Sequence, residues 1–265
     1  MDKAKLIGSL AASSEDELLL ARALDRLGKA ERKNVPGSTA FLTGREQELV
    51  KKLMLGANIS GASFFGGYEG AERAIAIYIP DYYDAGEYLS GEDSPVTCLR
   101  AEISSYDTLT HRDFLGGILG QGIKREVLGD ILLSEGFCDF MVTTEIAPYL
   151  LSQLTSIGRA RIRLRAIPLS EVVVPKQKTK IIHDTVASLR LDSLMASGFQ
   201  IGRSKAQTLI ASGRVEVDHL PVTKADRLLE EGTVISARGL GKVRLSAVNG
   251  ITKKDRISVT IERYL

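Results

Sequence analysis

One short segment near the end of the chain carries side chains suited to binding an anion. Arg203, Ser204 and Lys205 stand together at the predicted start of a helix, where free backbone N–H groups and the helix dipole attract negative charge. Gln207 and Arg214 extend this polar surface. The segment therefore predicts a phosphate-binding helix terminus, although a capped surface helix with solvated charges has the same spacing.

Two other clusters have residue types used in catalysis, and we interpret both as structural. The glycine-rich residues 116–122 end a predicted helix, whereas a dinucleotide fingerprint places its glycines between a strand and a helix. Helix termination and close packing explain these glycines better. Thr110 and Asp113 have the spacing of a helix cap, and the sequence pairs no serine or cysteine nucleophile with His111.

A third cluster, Arg190-Leu191-Asp192, resembles the Arg-Leu-Asp core of pseudouridine synthases, whose aspartate is catalytic. Only 265 − 192 = 73 residues follow Asp192, too few for that catalytic domain. We therefore do not interpret Asp192 as a catalytic residue. An RNA-modifying enzyme, of pseudouridine synthase or methyltransferase type, is the alternative. An adaptor that holds a protein partner through acidic N-terminal helices is a third class.

The charge of the chain is distributed unevenly. Lys and Arg number 35 against 33 Asp and Glu, a net charge of +2. Residues 1–156 carry 15 basic and 23 acidic side chains (15 − 23 = −8), and residues 157–265 carry 20 and 10 (20 − 10 = +10). A basic last third favours a polyanion as partner, although two independently solvated surfaces give the same counts.

The composition is that of a folded globular protein. Hydrophobic residues make up 44% and charged residues 26%, which argues against disordered and disulfide-rich classes. Cys98 and Cys138 lie far apart in apolar runs, which predicts buried thiols in a reducing compartment and no metal site. No stretch approaches the ~18 apolar residues of a membrane span, and no targeting segment is indicated. We expect a cytoplasmic protein without a membrane partner, a cofactor or a small-molecule substrate.

Periodicity and capping signals predict an α+β fold. Capping boxes at Ser14 and Thr43 open two helices, and strands are predicted at 63–67 and 73–80. From Val96 the predicted order is β-α-β-β-α-β, which is typical of ferredoxin-like domains and of the RRM. The aromatic signature of an RRM is not met around Phe137 and Phe140, so we interpret both as core or edge residues.

Breaks in this pattern predict four segments. They are an N-terminal helical segment (1–60), a ferredoxin-like domain (61–168), a basic linker (169–183) and a small α+β domain with a C-terminal strand extension (184–265). The linker has two prolines and the lysines Lys176, Lys178 and Lys180. The last segment has predicted helices at 187–197 and 203–212 and strands at 214–218, 233–238, 242–245 and 257–263.

The run LRLDSLMASGFQIGRSKAQTLIASGRVEVD, followed by LLEEGTVISARGLGKVRL, resembles the S4 domain, a small RNA-binding domain named after a ribosomal protein. The Arg-Ser helix start, the Gly-x-Val-x-Val strand and the later glycine-rich turn have the family's spacing. By position, the resemblance implies RNA contacts from Arg190, Arg203, Ser204, Lys205, Gln207, Arg214, Arg238 and Lys242. It covers roughly residues 188–245. Asp218-His219 stands where the family often has Asn-Gly, which leaves that turn open.

Three strings in the first part of the chain resemble signatures of the YlmH family: GGYEGAER, LTHRDFLGGILGQGIKREVLGDI and SIGRARIRL. Members are non-enzymatic proteins with a C-terminal S4 domain. The resemblance implies binding of ribosomal RNA and tRNA, association with the large ribosomal subunit and a part in rescuing stalled nascent chains, which is ribosome-associated quality control. It leaves a bacterial or a cyanobacterial and plastid branch open. Gly117 and Gln121 depart from the family's Ala and Leu.

A second group of basic residues predicts a supplementary RNA-facing patch. One part brackets the helix after Thr110, and the other occupies alternate positions of the strand predicted at 160–167, which should place its members on one face. The group comprises His111, Arg112, Lys124, Arg125, Arg159, Arg161 and Arg163, and Arg165 adds supplementary charge on the same strand. A purely structural role for these residues is the alternative.

Overall fold

The computed structural model describes residues 3–176, 178–252 and 255–265. The chain divides into two compact units, Met1–Pro175 and Lys176–Leu265. Both units combine helices with antiparallel sheets, so the expected mixture of helix and strand is confirmed. None of the helices in the described part of the chain is long and apolar enough to cross a membrane.

The N-terminal unit begins with three helices and a small sheet. Its elements are α1 (Lys3–Leu10), α2 (Ser14–Lys33), β1 (Gly37–Ser38), α3 (Gly44–Gly56), β2 (Ala62–Phe65) and β3 (Ile75–Tyr78). The sheet has the order β1-β3-β2 with antiparallel pairs. Leu20 and Leu53 of the helices pack with Phe64 and Ala76 of the strands in one apolar cluster. Because the helices bury their apolar faces on these strands, a boundary at residue 60 cuts through this assembly, and the predicted helical segment does not stand alone.

The helix caps follow the prediction at one site and differ at the other. Thr43 and Glu46 form the predicted capping box, in which Glu46 Oε2 accepts a hydrogen bond from Thr43 N at 2.6 Å. At α2 the N-cap is Ser13, whose hydroxyl accepts from Asp16 N at 3.2 Å. The predicted box at Ser14 is therefore wrong by one residue.

A four-stranded sheet forms the second half of this unit. Its elements are α4 (Ala85–Ser90), β4 (Val96–Glu102), α5 (His111–Leu119), β5 (Leu128–Ser134), β6 (Phe137–Thr143), α6 (Ala147–Gln153), β7 (Ser156–Ile157), β8 (Ala160–Arg161) and β9 (Arg163–Ile167). The strand order is β5-β6-β4-β9, and neighbouring strands are antiparallel. Phe114 of α5 and Leu150 of α6 pack with Leu99 and Phe140 of the sheet.

The strand predicted at 160–167 is interrupted at Ile162. β8 pairs with β7, whereas β9 pairs with β4, and the Ile162 N–H donates to Thr155 O at 3.1 Å. One continuous strand is therefore a wrong prediction. The alternation of residues along the sequence could not reveal the break, because β8 and β9 pair with different strands.

Packing explains the glycine cluster and the two cysteines as predicted. A Cβ atom on Gly117 would lie 2.7 Å from Ile157 Cδ1, and Gly120 caps α5. Cys98 and Cys138 are free, buried thiols. Burial raises the pKa of Cys98 to about 12, so this thiol stays protonated at neutral pH.

A buried ion pair ties the end of the N-terminal unit to the four-stranded sheet. Asp139 has no exposed surface, and Arg100 donates to both of its carboxylate oxygens at 2.6 Å. Val173 N also donates to Asp139 at 3.2 Å, and Arg100 donates to Glu171 O at 2.9 Å. Residues 171–173 are therefore fixed against the sheet, which corrects the predicted linker at 169–183.

The last residues of the predicted linker belong to a strand, β10, of the C-terminal unit. The elements of the C-terminal unit are β10 (Thr179–Val186), α7 (Leu191–Phe199), α8 (Arg203–Ala211), β11 (Val215–Val217), β12 (Leu220–Pro221), β13 (Val234–Ala237), β14 (Gly241–Ile251) and β15 (Ile257–Tyr264). The sheet order is β10-β15-β14-β13-β11-β12, with antiparallel neighbours. Lys180 lies within β10 opposite Arg263, and Ile182 packs against the core.

The hairpin between β11 and β12 settles the turn that the sequence leaves open. Asp218 and His219 have φ of 48° and 65°, and Val217 pairs with Leu220. Two successive residues at positive φ match the type I′ hairpin turn, in which Asn-Gly is strongly preferred. The chain therefore keeps the turn without the favoured residue pair.

Candidate nucleic-acid interface

Four side chains of the C-terminal unit meet in what we call the Asp192 cluster: Arg190, Asp192, Arg203 and Gln207. Arg203 donates from Nε and Nη2 to the two carboxylate oxygens at 3.0 and 3.2 Å. Arg190 donates to the same oxygens at 3.2 and 3.3 Å, and Gln207 Nε2 donates at 2.8 Å. The S4 resemblance implicates Arg190, Arg203 and Gln207 in RNA binding. All three are joined by Asp192, which the resemblance does not implicate.

Asp192 is fully buried, while its two arginines reach the surface. The side chains of Arg190 and Arg203 are 36% and 50% exposed, against 0% for Asp192. Burial by itself disfavours ionisation, but hydrogen bonds from Arg190, Arg203 and Gln207 outweigh it and hold the pKa of Asp192 below its usual range. Two guanidinium groups against one carboxylate leave the cluster with a net charge of +1.

The first turn of α8 adjoins this cluster. Gly202 is its N-cap and has no side chain to accept from the first N–H groups, which leaves them available to an anion. Ser204 and Lys205 are exposed, whereas Ala206 and Ile210 are buried and anchor the helix on the core. The predicted basic helix terminus is therefore present, with Arg203 oriented by Asp192.

The remaining predicted residues of this unit form a second group, at the ends of strands β11, β13 and β14. Arg238 N donates to Arg214 O at 2.9 Å, and Arg214 Nη2 donates to Arg238 O at 3.4 Å. Lys242 follows the turn that Gly239 and Gly241 form at φ of 87° and 96°, and its Nζ lies 5.6 Å from the Tyr264 ring centroid. Arg214 and Arg238 border a surface depression that none of the four residues of the Asp192 cluster lines.

The structural role of Asp192 is not among the sequence predictions, although a signal for it exists. Asp192, Met195 and Phe199 have the i, i+3, i+7 spacing of one helix face, and all three are buried. A carboxylate on an apolar face requires cationic or hydrogen-bonding partners. That requirement could have predicted the ion pair with Arg190 and Arg203 from the sequence.

The supplementary patch of the N-terminal unit is only partly assembled as predicted. Arg125 donates to Leu128 O at 2.5 Å and to Gly129 O at 3.3 Å, and burial lowers its pKa. Its guanidinium therefore donates to backbone carbonyl groups of the N-terminal unit and does not belong to the RNA-facing patch, which corrects the prediction. The exposed members are His111, Arg112, Lys124, Arg159, Arg161, Arg163 and Arg165.

Ion pairs reduce the charge of two of these exposed residues. Lys124 lies 3.9 Å from Glu126, and Arg165 lies 3.6 Å from Glu102. Such exposed pairs contribute little to stability. They leave both cations accessible to a stronger anion.

Two of the quoted sequence strings meet at Asp130. Its Oδ2 accepts from Tyr68 Oη at 2.8 Å and from Glu72 N at 2.7 Å, and its Oδ1 accepts from Arg73 N at 3.1 Å. Burial and the neighbouring carboxylate raise the pKa of Tyr68. The GGYEGAER string is therefore a loop fixed by a residue of the second string, which is a structural role. In the described part of the chain, no group of three or more metal-ligating side chains is placed to hold a metal ion.

Comparison with known proteins identifies the family. Residues 101–171 match a family model described as "Putative RNA-binding domain in YlmH", and residues 189–235 match the S4 domain. The chain is 37% identical over 228 residues to "Ribosome-associated protein quality control protein P2" of Bacillus subtilis, covering 85% of this chain and 86% of that protein. A solved structure, "Cell division protein ylmH from Streptococcus pneumoniae", is 25% identical with a TM-score of 0.47 and covers 62% of this chain and 97% of its own. The chain therefore belongs to the YlmH family and carries an S4 domain.

Proposed function

We propose that this protein is a non-enzymatic, ribosome-associated RNA-binding protein of the cytoplasm that recognises ribosomal RNA and tRNA through phosphate and shape contacts. The two RNA-binding family matches and the name of the Bacillus subtilis relative support this role. Binding to the large ribosomal subunit and a part in rescuing stalled nascent chains complete the proposal. Phosphate contacts position a protein without reading bases, so shape selects the RNA.

The observation that carries the proposal is the Asp192 cluster. It holds two guanidinium groups in fixed orientations beside the free N–H groups of the α8 N-terminus, with Lys205 exposed next to them. A planar guanidinium binds phosphate through paired hydrogen bonds, and a fixed orientation lowers the entropy lost on binding. The arrangement suits a backbone phosphate of structured RNA.

The alternative of a pseudouridine synthase finds no support in this geometry. The catalytic role would fall on Asp192, whose carboxylate has no exposed surface and accepts hydrogen bonds from four side chains. A nucleophile has to reach its substrate. The same carboxylate is well suited to orienting arginines.

The N-terminal unit is proposed to supply a second RNA surface on a ferredoxin-like domain. The order β5-β6-β4-β9 with antiparallel pairs, and the packing of α5 and α6 in one cluster, support that arrangement. The family model for an RNA-binding domain covers residues 101–171. Within that range, Arg112, Arg161 and Arg163 are exposed.

Salt-dependent RNA binding tests the proposal. Arg203→Ala with Lys205→Ala in the full chain should weaken binding to bulk tRNA, and removal of each phosphate contact should reduce the slope of log K against log salt by about 0.7–0.9. Arg244→Ala is the matched control, because Arg244 is an exposed arginine of β14 outside both groups. An unchanged slope in the double variant would contradict the helix-terminus site.

Two further assays address the ribosome and the enzymatic alternative. The full chain should co-sediment with large ribosomal subunits at low salt and dissociate as salt rises. Mass analysis of ribosomal RNA and tRNA from a deletion strain should show the full set of modified nucleotides. A missing modification would overturn the non-enzymatic assignment.

A further inference from the structure

A polar cleft of about 330 Å³ lies within the C-terminal unit, bordered on one side by Arg203. Residues of β10, α7 and the segment before β15 form its walls. Its polar lining consists of Asp184, Thr185, Ser193, Ser197, Arg203 and Arg256. Arg256 lies outside the S4 match at 189–235, so nothing in the family comparison assigns it a role.

Arg256 is held in the wall of the cleft by β10. Its Nε donates to Thr185 Oγ1 at 3.0 Å, and its Nη2 donates to Thr185 O. The side chain is nevertheless exposed. A guanidinium has five N–H donors, so donors remain for a ligand after these two bonds.

Arg203 enters the same cleft in the same manner. Its Nε and Nη2 donate to Asp192, and half of its side chain is exposed. Each of the two arginines is thus fixed by its Nε and Nη2 atoms. None of these four hydrogen bonds uses the Nη1 atom of either arginine.

The charge of the cleft favours an anion. Because Arg203 is already paired with Asp192, the cleft and the Asp192 cluster have to be counted together. Three guanidinium groups, of Arg190, Arg203 and Arg256, face the two carboxylates of Asp184 and Asp192, a net charge of 3 − 2 = +1. Both oxygens of Asp184 already accept hydrogen bonds. Ser197 Oγ donates to Oδ2 at 2.7 Å, and Thr185 N donates to Oδ1 at 2.7 Å. The apolar part of the lining is restricted to Val186, Ala187 and Ala196, which offers little surface to a drug-like ligand.

We propose that this cleft binds a phosphate of the RNA backbone, additional to the phosphate at the α8 N-terminus. Arg203 borders both places, so the two phosphates would belong to one strand or to one groove of the same RNA. Arg256 supplies the second guanidinium, and the Ser193 hydroxyl, which donates to Asp192 Oδ1 at only 3.5 Å, can turn to donate to the phosphate instead. The inference rests on the proposed RNA-binding function and extends the RNA-binding surface beyond the S4 motif.

Arg256→Gln in the full chain tests the cleft, with bulk tRNA as the probe and Arg244→Gln as the matched control. Binding by Arg256→Gln should be about tenfold weaker, and the salt slope should fall by about 0.7–0.9. Arg244→Gln should change both much less. Equal effects of the two variants, in a protein whose binding is still weakened by Arg203→Gln, would overturn the cleft and leave the proposed function standing.

Asp184→Asn provides a variant that should gain affinity, which a folding defect cannot mimic. Removing one negative charge about 6 Å from a phosphate in water should strengthen binding about threefold. Unchanged or weaker binding by Asp184→Asn would count against the cleft. If the unmodified chain showed no salt-dependent RNA binding, the proposed function would fall and the cleft proposal with it.

Discussion

Replacing Asp192 with Asn tests the central contact of the C-terminal unit. The carboxylate accepts hydrogen bonds from Arg190, Arg203 and Gln207, whereas an amide would turn N–H donors toward groups that are themselves donors. Breaking a buried ion pair from one side costs about 3–5 kcal/mol. Because both arginines are partly exposed and can be rehydrated, we expect Asp192→Asn to lower the free energy of unfolding by about 2–3 kcal/mol.

The same substitution should weaken RNA binding, although it removes a negative charge. At roughly 6 Å in water, loss of that charge alone would favour phosphate by about 0.7 kcal/mol, or threefold. Loss of the fixed orientation of Arg190 and Arg203 acts in the opposite direction, since a charge-assisted hydrogen bond is worth about 1.5–3 kcal/mol. We therefore expect binding to be about tenfold weaker, because orientation outweighs the Coulomb gain.

Equilibrium unfolding in urea measures the stability, and filter binding with bulk tRNA measures the affinity. Asp226→Asn is the matched control, because Asp226 is exposed and interacts electrostatically with Arg190. It should change stability by less than about 0.5 kcal/mol. Tighter RNA binding by Asp192→Asn, or a stability loss no larger than that of the control, would refute the orienting role.

The pH dependence of the same pair has a defined sign. The pKa of Asp192 is lower in the folded chain than in the unfolded chain, so its stabilisation is complete above the unfolded value of about 3.9. The stabilisation is lost as pH falls through the folded pKa. Acid unfolding of Asp192→Asn should therefore depend less steeply on pH than that of the unmodified chain. An identical acid limb would contradict the ion pair.

Three further substitutions test contacts described above. His219→Gly should stabilise the β11–β12 hairpin by about 0.5–1 kcal/mol, because glycine adopts positive φ without strain; an unchanged urea midpoint would contradict this. Hydrogen bonds from Arg45 lower the pKa of Asp16 to about 2, so Asp16→Asn should cost about 1 kcal/mol at neutral pH. That difference should shrink as pH falls through about 2, measured by acid unfolding, and a constant difference would argue against the ion pair. Asp139→Asn should speed hydrogen exchange at Val173 N–H, since it removes the carboxylate acceptor; unchanged protection would contradict that anchor.

The parts of the fold that can be predicted from the sequence are those determined by local signals. The predicted bounds of α8 agree with the structure to within a residue, because its apolar residues recur at helical spacing and Gly213, at φ of 68°, follows its last turn. Thr43 opens a helix with the predicted capping box, and Thr110 is the predicted N-cap, for the same reason. In these places, the information lies within a few residues of the element.

The parts that local patterns miss depend on contacts distant in sequence. The strand β10 resembles a linker because Lys180 and the two lysines just before the strand obscure the alternation. Its partner β15 lies some 80 positions later, with Thr179 opposite Tyr264. Arg125 has the sequence context of a surface residue, but the carbonyl groups that it binds are presented only once β5 has formed. The basic residues around Asp192 follow from family resemblance, whereas the ion pairs that unite them require α7 and α8 to pack together.

Counts of arginine overstate the charge that each unit can offer to RNA. At the structural boundary, residues 1–175 carry 19 basic and 24 acidic side chains (19 − 24 = −5), and residues 176–265 carry 16 and 9 (16 − 9 = +7). Yet pairing removes some arginines from use and leaves others available. Arg100 pairs with Asp139 and is only 13% exposed, whereas Arg203 pairs with Asp192 and is 50% exposed. An ion pair with a buried aspartate therefore does not by itself show whether an arginine can contact RNA. The exposed fraction of the arginine side chain does.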